Sequence, residues 1–224
     1  MKQLTALQLY KELINADIVD KVGNIVFSMA GTSVIIHTTD TVGNSIQAWL
    51  GQWMNNNDIY NEEPGNTQEF PDFYLSKDKN KGLLEVKAFN YDAPPAFDIA
   101  NFESYCESVS QKPYRLDADY LIFGYTMSES GEIKIKKIWL KKIWEISGSS
   151  KRFALNTQVK RNVIYNIRPK NFKNDKDPEF KNSLDFLRAI YYTLVKYRGE
   201  DKANEWKEIT QQNYKSYYGK EIKI

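Results

Sequence analysis

Apolar residues recur at three- and four-residue spacing from the start of the chain. Leu4, Leu7, Tyr10, Leu13, Ile14 and Ile18 predict an amphipathic helix over residues 3–20. Two short β-rich runs follow, Asn24–Met29 and Ser33–His37, and Ala30-Gly31-Thr32 between them suits a hairpin. Thr41–Asn56 returns to helical spacing, with Val42, Ile46, Trp49, Leu50 and Trp53 on one face and Asp40 or Thr41 placed to cap it. Asn55–Gln68 is polar, contains Pro64-Gly65 and reads as a loop.

The middle of the chain is strand-rich. Phe70–Ser76 and Gly82–Phe89 are strand candidates joined by the polar turn Lys77–Lys81. A loop with Pro94-Pro95 leads into a helix from Asp98 to Ser110. Ala118–Met127 is almost continuously apolar at strand length, the signature of a buried central strand, and Glu132–Leu140 pairs with it across Ser128–Gly131. Residues 147–180 are polar with weak periodicity, whereas Ser183–Tyr197 and 201–217 predict two closing helices. At 224 residues this is one α/β domain, 1–224.

Composition narrows the chemistry. The chain is 42% apolar and 27% charged, ordinary for a soluble fold. No apolar run approaches the roughly 18 residues of a membrane helix, and the first residues lack a signal peptide's apolar centre, so a cytoplasmic protein with no membrane partner is expected. A single cysteine, Cys106, rules out an internal disulfide and a cysteine-rich zinc site. The single histidine, His37, rules out a histidine metal cluster; it follows an apolar strand and is read as structural. Tyr191-Tyr192 and Tyr217-Tyr218 are read as packing or interface aromatics. Net charge is only +2, but twelve Lys or Arg and one acid, Glu145, lie between Ile133 and Asn174. Local potential governs polyanion binding, so this stretch is either a phosphate-facing surface or a solvated face.

The informative chemistry is Pro71-Asp72, twelve residues, then Glu85-Val86-Lys87. Side chains two apart on a strand share a face, so Glu85 and Lys87 project together, with Leu84, Val86 and Ala88 opposite. If the preceding segment pairs with this strand, Asp72 and Glu85 converge. Two carboxylates without histidine or cysteine make a hard oxygen site suited to Mg²⁺, with the Val86 carbonyl as a third donor. Such an ion can activate water for phosphodiester hydrolysis, and Lys87 can orient that water or offset charge on the phosphorane oxygens. The pattern is short and degenerate, and a surface salt bridge on a half-exposed strand gives the same letters. Asn44 and Gln47, one turn apart on the helix ahead of the motif, Glu69 just before Asp72, and Glu103 are possible accessory groups.

Longer blocks carry a resemblance. Asp58-Ile59-Tyr60, Asn66–Phe73, Leu84–Phe89, Pro95–Tyr105, Tyr114–Tyr120 and Asn156–Arg161 resemble type II restriction endonucleases of the NgoBV/NlaIV family, in the PD-(D/E)xK superfamily. That resemblance implies a restriction-endonuclease-like α/β fold, a mixed central β-sheet flanked by helices and carrying Asp72, Glu85 and Lys87. It further implies Mg²⁺-dependent double-strand cleavage of DNA at the palindrome GGNNCC, leaving 5′-phosphate ends. A homodimer and a cognate DNA methyltransferase as genetic partner belong to the same picture. The early helix of such nucleases often lends an acid to the metal site, and Gln47 or Asn44 here departs from that habit. Guanine N7 and O6 favour Arg and Lys, so segment 141–180 is the expected DNA-recognition segment. Within it Lys151, Arg152, Asn156, Gln158, Lys160, Arg161 and Arg168 are the expected contacts, and Ser147–Ser150 could meet phosphates through backbone N–H groups. Two rivals stay open: a repair or junction-resolving nuclease of the same superfamily, and a non-catalytic DNA-binding protein.

Overall fold

The computed structural model describes residues 1–66, 69–174 and 177–224. Thr67 and Gln68, at the end of the polar loop and inside one block of the resemblance, lie outside the described residues, as do Asp175 and Lys176 of the 141–180 segment. In chain order the first half contains α1 (Ala6–Asn15), β1 (Val22–Asn24), β2 (Val26–Met29), β3 (Thr32–Ile35), α2 (Val42–Asn56), β4 (Phe73–Tyr74) and β5 (Leu83–Asn90). The second half contains β6 (Ala100–Asn101), α3 (Phe102–Gln111), β7 (Asp119–Met127), β8 (Glu132–Lys142) and the single turn α4 (Ile143–Ile146). It ends with β9 (Thr157–Lys160), β10 (Val163–Ile167), α5 (Ser183–Arg198) and α6 (Glu200–Tyr218). Contacts divide the chain into two compact units. Met1–Pro94 with Asp119–Lys141 form the first, and Pro95–Ala118 with Lys142–Ile224 form the second.

The first unit is built on a five-stranded sheet in the order β1-β8-β7-β5-β4. β5 runs parallel to β7, with Glu85 opposite Tyr120 and Lys87 opposite Ile122, and antiparallel to β4, with Leu84 opposite Phe73. The motif strand is therefore paired on both edges. Leu84, Val86, Leu121, Phe123 and Tyr125 join Leu9 and Leu13 of α1 and Ile46, Leu50 and Met54 of α2 in one apolar core. α1 starts at Thr5, whose side chain accepts from the Gln8 N–H while Gln8 answers the Thr5 N–H, so two otherwise orphaned donors are satisfied. It stops well short of residue 20, because Asp17 and Asp20 take φ of 57° and 66°.

At Gly124, in β7, a side chain has no room. A Cβ there would lie 2.9 Å from both Trp139 and Tyr91, whose rings stack on each other 6.2 Å apart. Gly124→Ala is expected to destabilise the protein by about 1–3 kcal/mol through overpacking. Urea unfolding followed by tryptophan fluorescence measures this, and an unchanged midpoint would refute the packing account.

Elsewhere the departures from expectation have local causes. The Asn24–Met29 run splits, because Val22–Asn24 leaves to pair with β8 (Val22 opposite Lys134) while Val26–Met29 pairs with β3. The candidate strand Phe70–Ser76 is reduced to Phe73–Tyr74; Pro71 has no N–H to offer a ladder. The helix expected from Asp98 begins at Phe102, capped by Asn101, because Ala100-Asn101 is taken into a strand with β10. The weakly periodic region hides the hairpin β9–β10. In the second unit α3 packs against α6: Trp206 Nε1 donates to the Cys106 carbonyl at 2.8 Å and Asn213 to the Ser110 carbonyl at 2.8 Å. Cys106 is buried there, as its small size suggests.

Candidate active site

Asp72, Glu85 and Lys87 come together, all within the first unit. Asp72 sits at the mouth of β4, and its Oδ2 accepts the Val86 N–H at 2.7 Å, which fixes it beside the middle of β5. Glu85 and Lys87 share one face of β5, joined by an ion pair of 2.8 Å, while Leu84 and Val86 point into the core. Glu85 is 8% exposed. One of its oxygens takes the lysine; the other, Oε2, is buried with no hydrogen-bond partner among the described residues.

A buried carboxylate oxygen with no donor is costly unless something positive meets it. Asp72 carries the same message. Burial, and after it the neighbouring Glu85 carboxylate, push its carboxyl up to about 7, against the opposing pull of the Val86 N–H and the Lys87 ammonium. Two close carboxyls, one resisting ionisation and one holding an orphaned oxygen, fit a hard divalent cation that would relieve both. The donors for it are Asp72, Glu85 and the Val86 carbonyl. Among the described residues no group of three or more His, Cys, Asp or Glu has metal-binding proximity, so the acidic set stops at this pair.

The accessory candidates differ in exposure. Gln47 is half-buried and Asn44 exposed on α2. Glu69 is exposed, its N–H turned back to the Asn66 carbonyl. The acid whose field reaches Asp72 is instead Glu63, which the sequence reading passed over. Its carboxylate lies 3.6 Å from where a Cβ would stand on Gly51, with the Phe73 ring 3.1 Å from that same point. Gly51 thus lets α2 close onto β4. The pair Glu62-Glu63 before Pro64-Gly65 was the only sequence signal, and it is indistinguishable there from loop polarity.

The seven expected DNA contacts all lie in the second unit. Arg168 pairs with Asp98 and donates to the Ala96 carbonyl at 2.6 Å. Asn156 donates to the carbonyls of Arg168 and Pro169, and Gln158 accepts from Asn166 at 3.2 Å. These three brace the hairpin region from within. Arg152 bonds Asn162 at 3.1 Å and lies over Phe153, Lys151 is exposed, and Lys160 lies over the Tyr165 ring. Arg161 and Asn162 form the two-residue tip of β9–β10, both left-handed at φ 49° and 65°. The Ser149 N–H is occupied by the Glu179 carboxylate at 3.1 Å.

A mixed sheet with helices, bearing a Glu-x-Lys on one strand and an Asp at the mouth of the strand beside it, defines the class of restriction-endonuclease-like nucleases. The solved NlaIV restriction endonuclease has the same fold, with a TM-score of 0.92 at 41% identity over 100% of this chain and 94% of that one. The sequence profile of the NgoBV restriction endonucleases matches residues 3–224. Type II restriction enzyme NlaIV of Neisseria lactamica is 42% identical over 232 residues, spanning 100% of this chain and 95% of that protein. Type II restriction enzyme NgoBV of Neisseria gonorrhoeae is 39% identical over 163 residues, 72% of this chain and 93% of its own. The chain belongs to the NgoBV restriction endonuclease family, and so to the type II restriction enzymes, endonucleases that hydrolyse DNA and generally use divalent metal ions. The repair-nuclease and non-catalytic alternatives give way to that membership. No helix among the described residues is long and apolar enough to cross a membrane.

Proposed function

We propose that this enzyme cuts both strands of DNA at the palindrome GGNNCC with Mg²⁺, leaving 5′-phosphate ends, from a centre made of Asp72, Glu85, the Val86 carbonyl and Lys87. The orphaned Glu85 Oε2 beside a carboxyl that resists ionisation carries the placement of the centre, and the target and ends follow from the family resemblance. Asp72, Glu85 and Val86 hold the ion, which supplies polarisation of the phosphoryl oxygen and acidification of the attacking water. Lys87, tied to Glu85 and half-buried, orients the water and offsets charge on the phosphorane oxygens. Glu63 acts at longer range, on the charge balance of Asp72, and Gln47, Asn44 and Glu69 are accessory at most. Both units serve one nuclease, a cytoplasmic homodimer paired in the genome with a methyltransferase that shields the host's own sites.

DNA recognition falls to 141–180, with Lys151, Arg152, Lys160 and Arg161 ahead of Asn156, Gln158 and Arg168, which are engaged internally. Arg161 supports this choice. Left-handed backbone costs a non-glycine residue about 1–2 kcal/mol, and here it lifts a guanidinium onto an exposed hairpin tip. Arg161→Ala is expected to weaken specific binding about 5- to 150-fold, the worth of a base contact at roughly 1–3 kcal/mol, with an unchanged melting curve. Full activity at the normal site would strike it from the list. For the function as a whole, the ends of digested DNA are sequenced with Mg²⁺ and with Ca²⁺. Discrete GGNNCC ends in Mg²⁺ alone support the proposal, and random ends or metal-independent cutting overturn it.

A further inference from the structure

We infer that the β2–β3 ribbon is the surface through which two copies of this chain associate, its outer face docking on a second copy. From Val22 to Thr39 eighteen consecutive residues carry no Asp, Glu, Lys or Arg, with Lys21 and Asp40 at the borders, in a chain that is 27% charged. A core segment could look like this, but the ribbon is not in the core: every residue of β2 and β3 is exposed. Cross-strand pairing sorts its side chains. Val26 faces Ile35 and Ser28 faces Ser33 on one side, and Phe27 faces Val34 and Met29 faces Thr32 on the other.

The first side is partly used. Ile35 comes so close to the β7–β8 turn that a Cβ on Gly131 would lie 2.7 Å from it, and the His37 ring hydrogen-bonds the Glu129 carbonyl at 3.1 Å. This also gives the lone histidine its structural task. The second side has no such support, and Phe27, Met29 and Val34 stand 54%, 67% and 50% exposed. An apolar two-stranded ribbon is marginal in water without a covering surface.

Charge decides what covers it. DNA phosphates are met by Lys and Arg, which the ribbon lacks, and an acidic or basic protein would find no counter-charge. A neutral apolar face suits its own copy across a two-fold axis, where any charge would oppose its like. Both strands are also sheet edges without the lysines or prolines that usually blunt such edges. The outer face's apolar side chains expose about 300 Å², the size of patch that marks an interaction site, and form the apolar centre of an interface whose ~800 Å² per partner also draws on the ribbon's backbone, its hydroxyls and the adjoining surface. At the ribbon's root an apolar cavity of about 200 Å³, lined by Ile25, Trp49, Phe123 and Ile133, extends the same surface. The inference rests on the proposed nuclease function in one respect: each chain holds one carboxylate pair, and a duplex has two strands to cut.

The test is sedimentation of the full chain without DNA, with Phe27→Ser/Met29→Lys as the variant and circular dichroism to check its fold. Wild type should sediment near twice the 26.1 kDa chain mass. The variant should dissociate at least about 30-fold more readily, the loss expected for hot-spot residues, and should nick supercoiled plasmid where wild type linearises it. Hydrogen exchange of residues 26–35 in wild type gives a variant-free measure, with protection rising with protein concentration. A monomeric wild type, a variant that stays dimeric, or exchange independent of concentration would each overturn the inference. Dimers that cut nothing would leave this interface standing and refute the nuclease centre; double-strand cutting by a still-dimeric variant would do the reverse.

Discussion

Glu85→Gln is expected to lower the DNA cleavage rate by about 10³-fold or more while the folded protein still binds its site in Ca²⁺. Glutamine keeps the volume at an 8%-exposed position and can still meet Lys87, so the sheet should survive. What it removes is a formal charge at the one buried carboxylate oxygen with no other partner among the described residues. Losing several kcal/mol of transition-state stabilisation, at roughly 1.4 kcal/mol per tenfold in rate, gives that magnitude. Asp72→Asn should act alike, because its remaining oxygen can still accept the Val86 N–H and hold the local geometry. Single-turnover cleavage in Mg²⁺ and gel-shift binding in Ca²⁺ separate chemistry from recognition. A variant that cleaves within tenfold of wild type would remove that carboxylate from the centre.

The second large effect concerns stability, and its sign is opposite to that of most paired carboxylates. The Asp72 carboxyl is raised from 3.8 to about 7, so in this window the folded metal-free protein holds a proton that the unfolded chain releases. The folded state then binds more protons than the unfolded one, and stability must fall as pH rises from about 4 to about 7, staying low above it. At about 1.4 kcal/mol per pKa unit the loss is a few kcal/mol. Asp72→Asn should therefore be more stable than wild type in EDTA at pH 8, and near parity at pH 4. Mg²⁺ or Ca²⁺ should restore wild type most strongly at the higher pH, since the ion binds the ionised carboxylate. Guanidinium unfolding of both proteins between pH 4 and 8 measures this. Parallel pH profiles would show that Asp72 ionises freely. The exposed carboxylates held low by lysines, such as Asp20 beside Lys134, lie in both proteins and cancel in the difference.

What could be read in advance follows from where local chemistry suffices. Period-two alternation placed Glu85 and Lys87 on one face of β5, and the apolar run Ala118–Met127 named β7 as the buried neighbour. The convergence of Asp72 was legible only as a condition, because it depends on one hydrogen bond to Val86 across fourteen residues. Glu63 was invisible, since nothing local separates it from any loop acid. In the basic segment, long-range partners were equally out of reach. Arg168 and Asn156 have the composition of DNA contacts, but long-range pairing with Asp98, Ala96 and Pro169 engages them inside the second unit. Short strands such as β6 and β9 carry too few residues to show a period, so the hairpin at 157–167 stayed hidden.

The parallel pairing of β5 with β7 has a temporal side. Between Asn90 and Asp119 the chain leaves the first unit and supplies part of the second before returning. A growing polypeptide that has emitted Asp72, Glu85 and Lys87 thus owns every reactive group yet lacks β7, the parallel partner of the strand that carries Glu85. Non-local parallel partners form late, after the loop between them has closed. A ribosome-bound fragment of this endonuclease that stops short of Asp119 should accordingly be harmless to the chromosome, because the seat of its reactive strand is still missing.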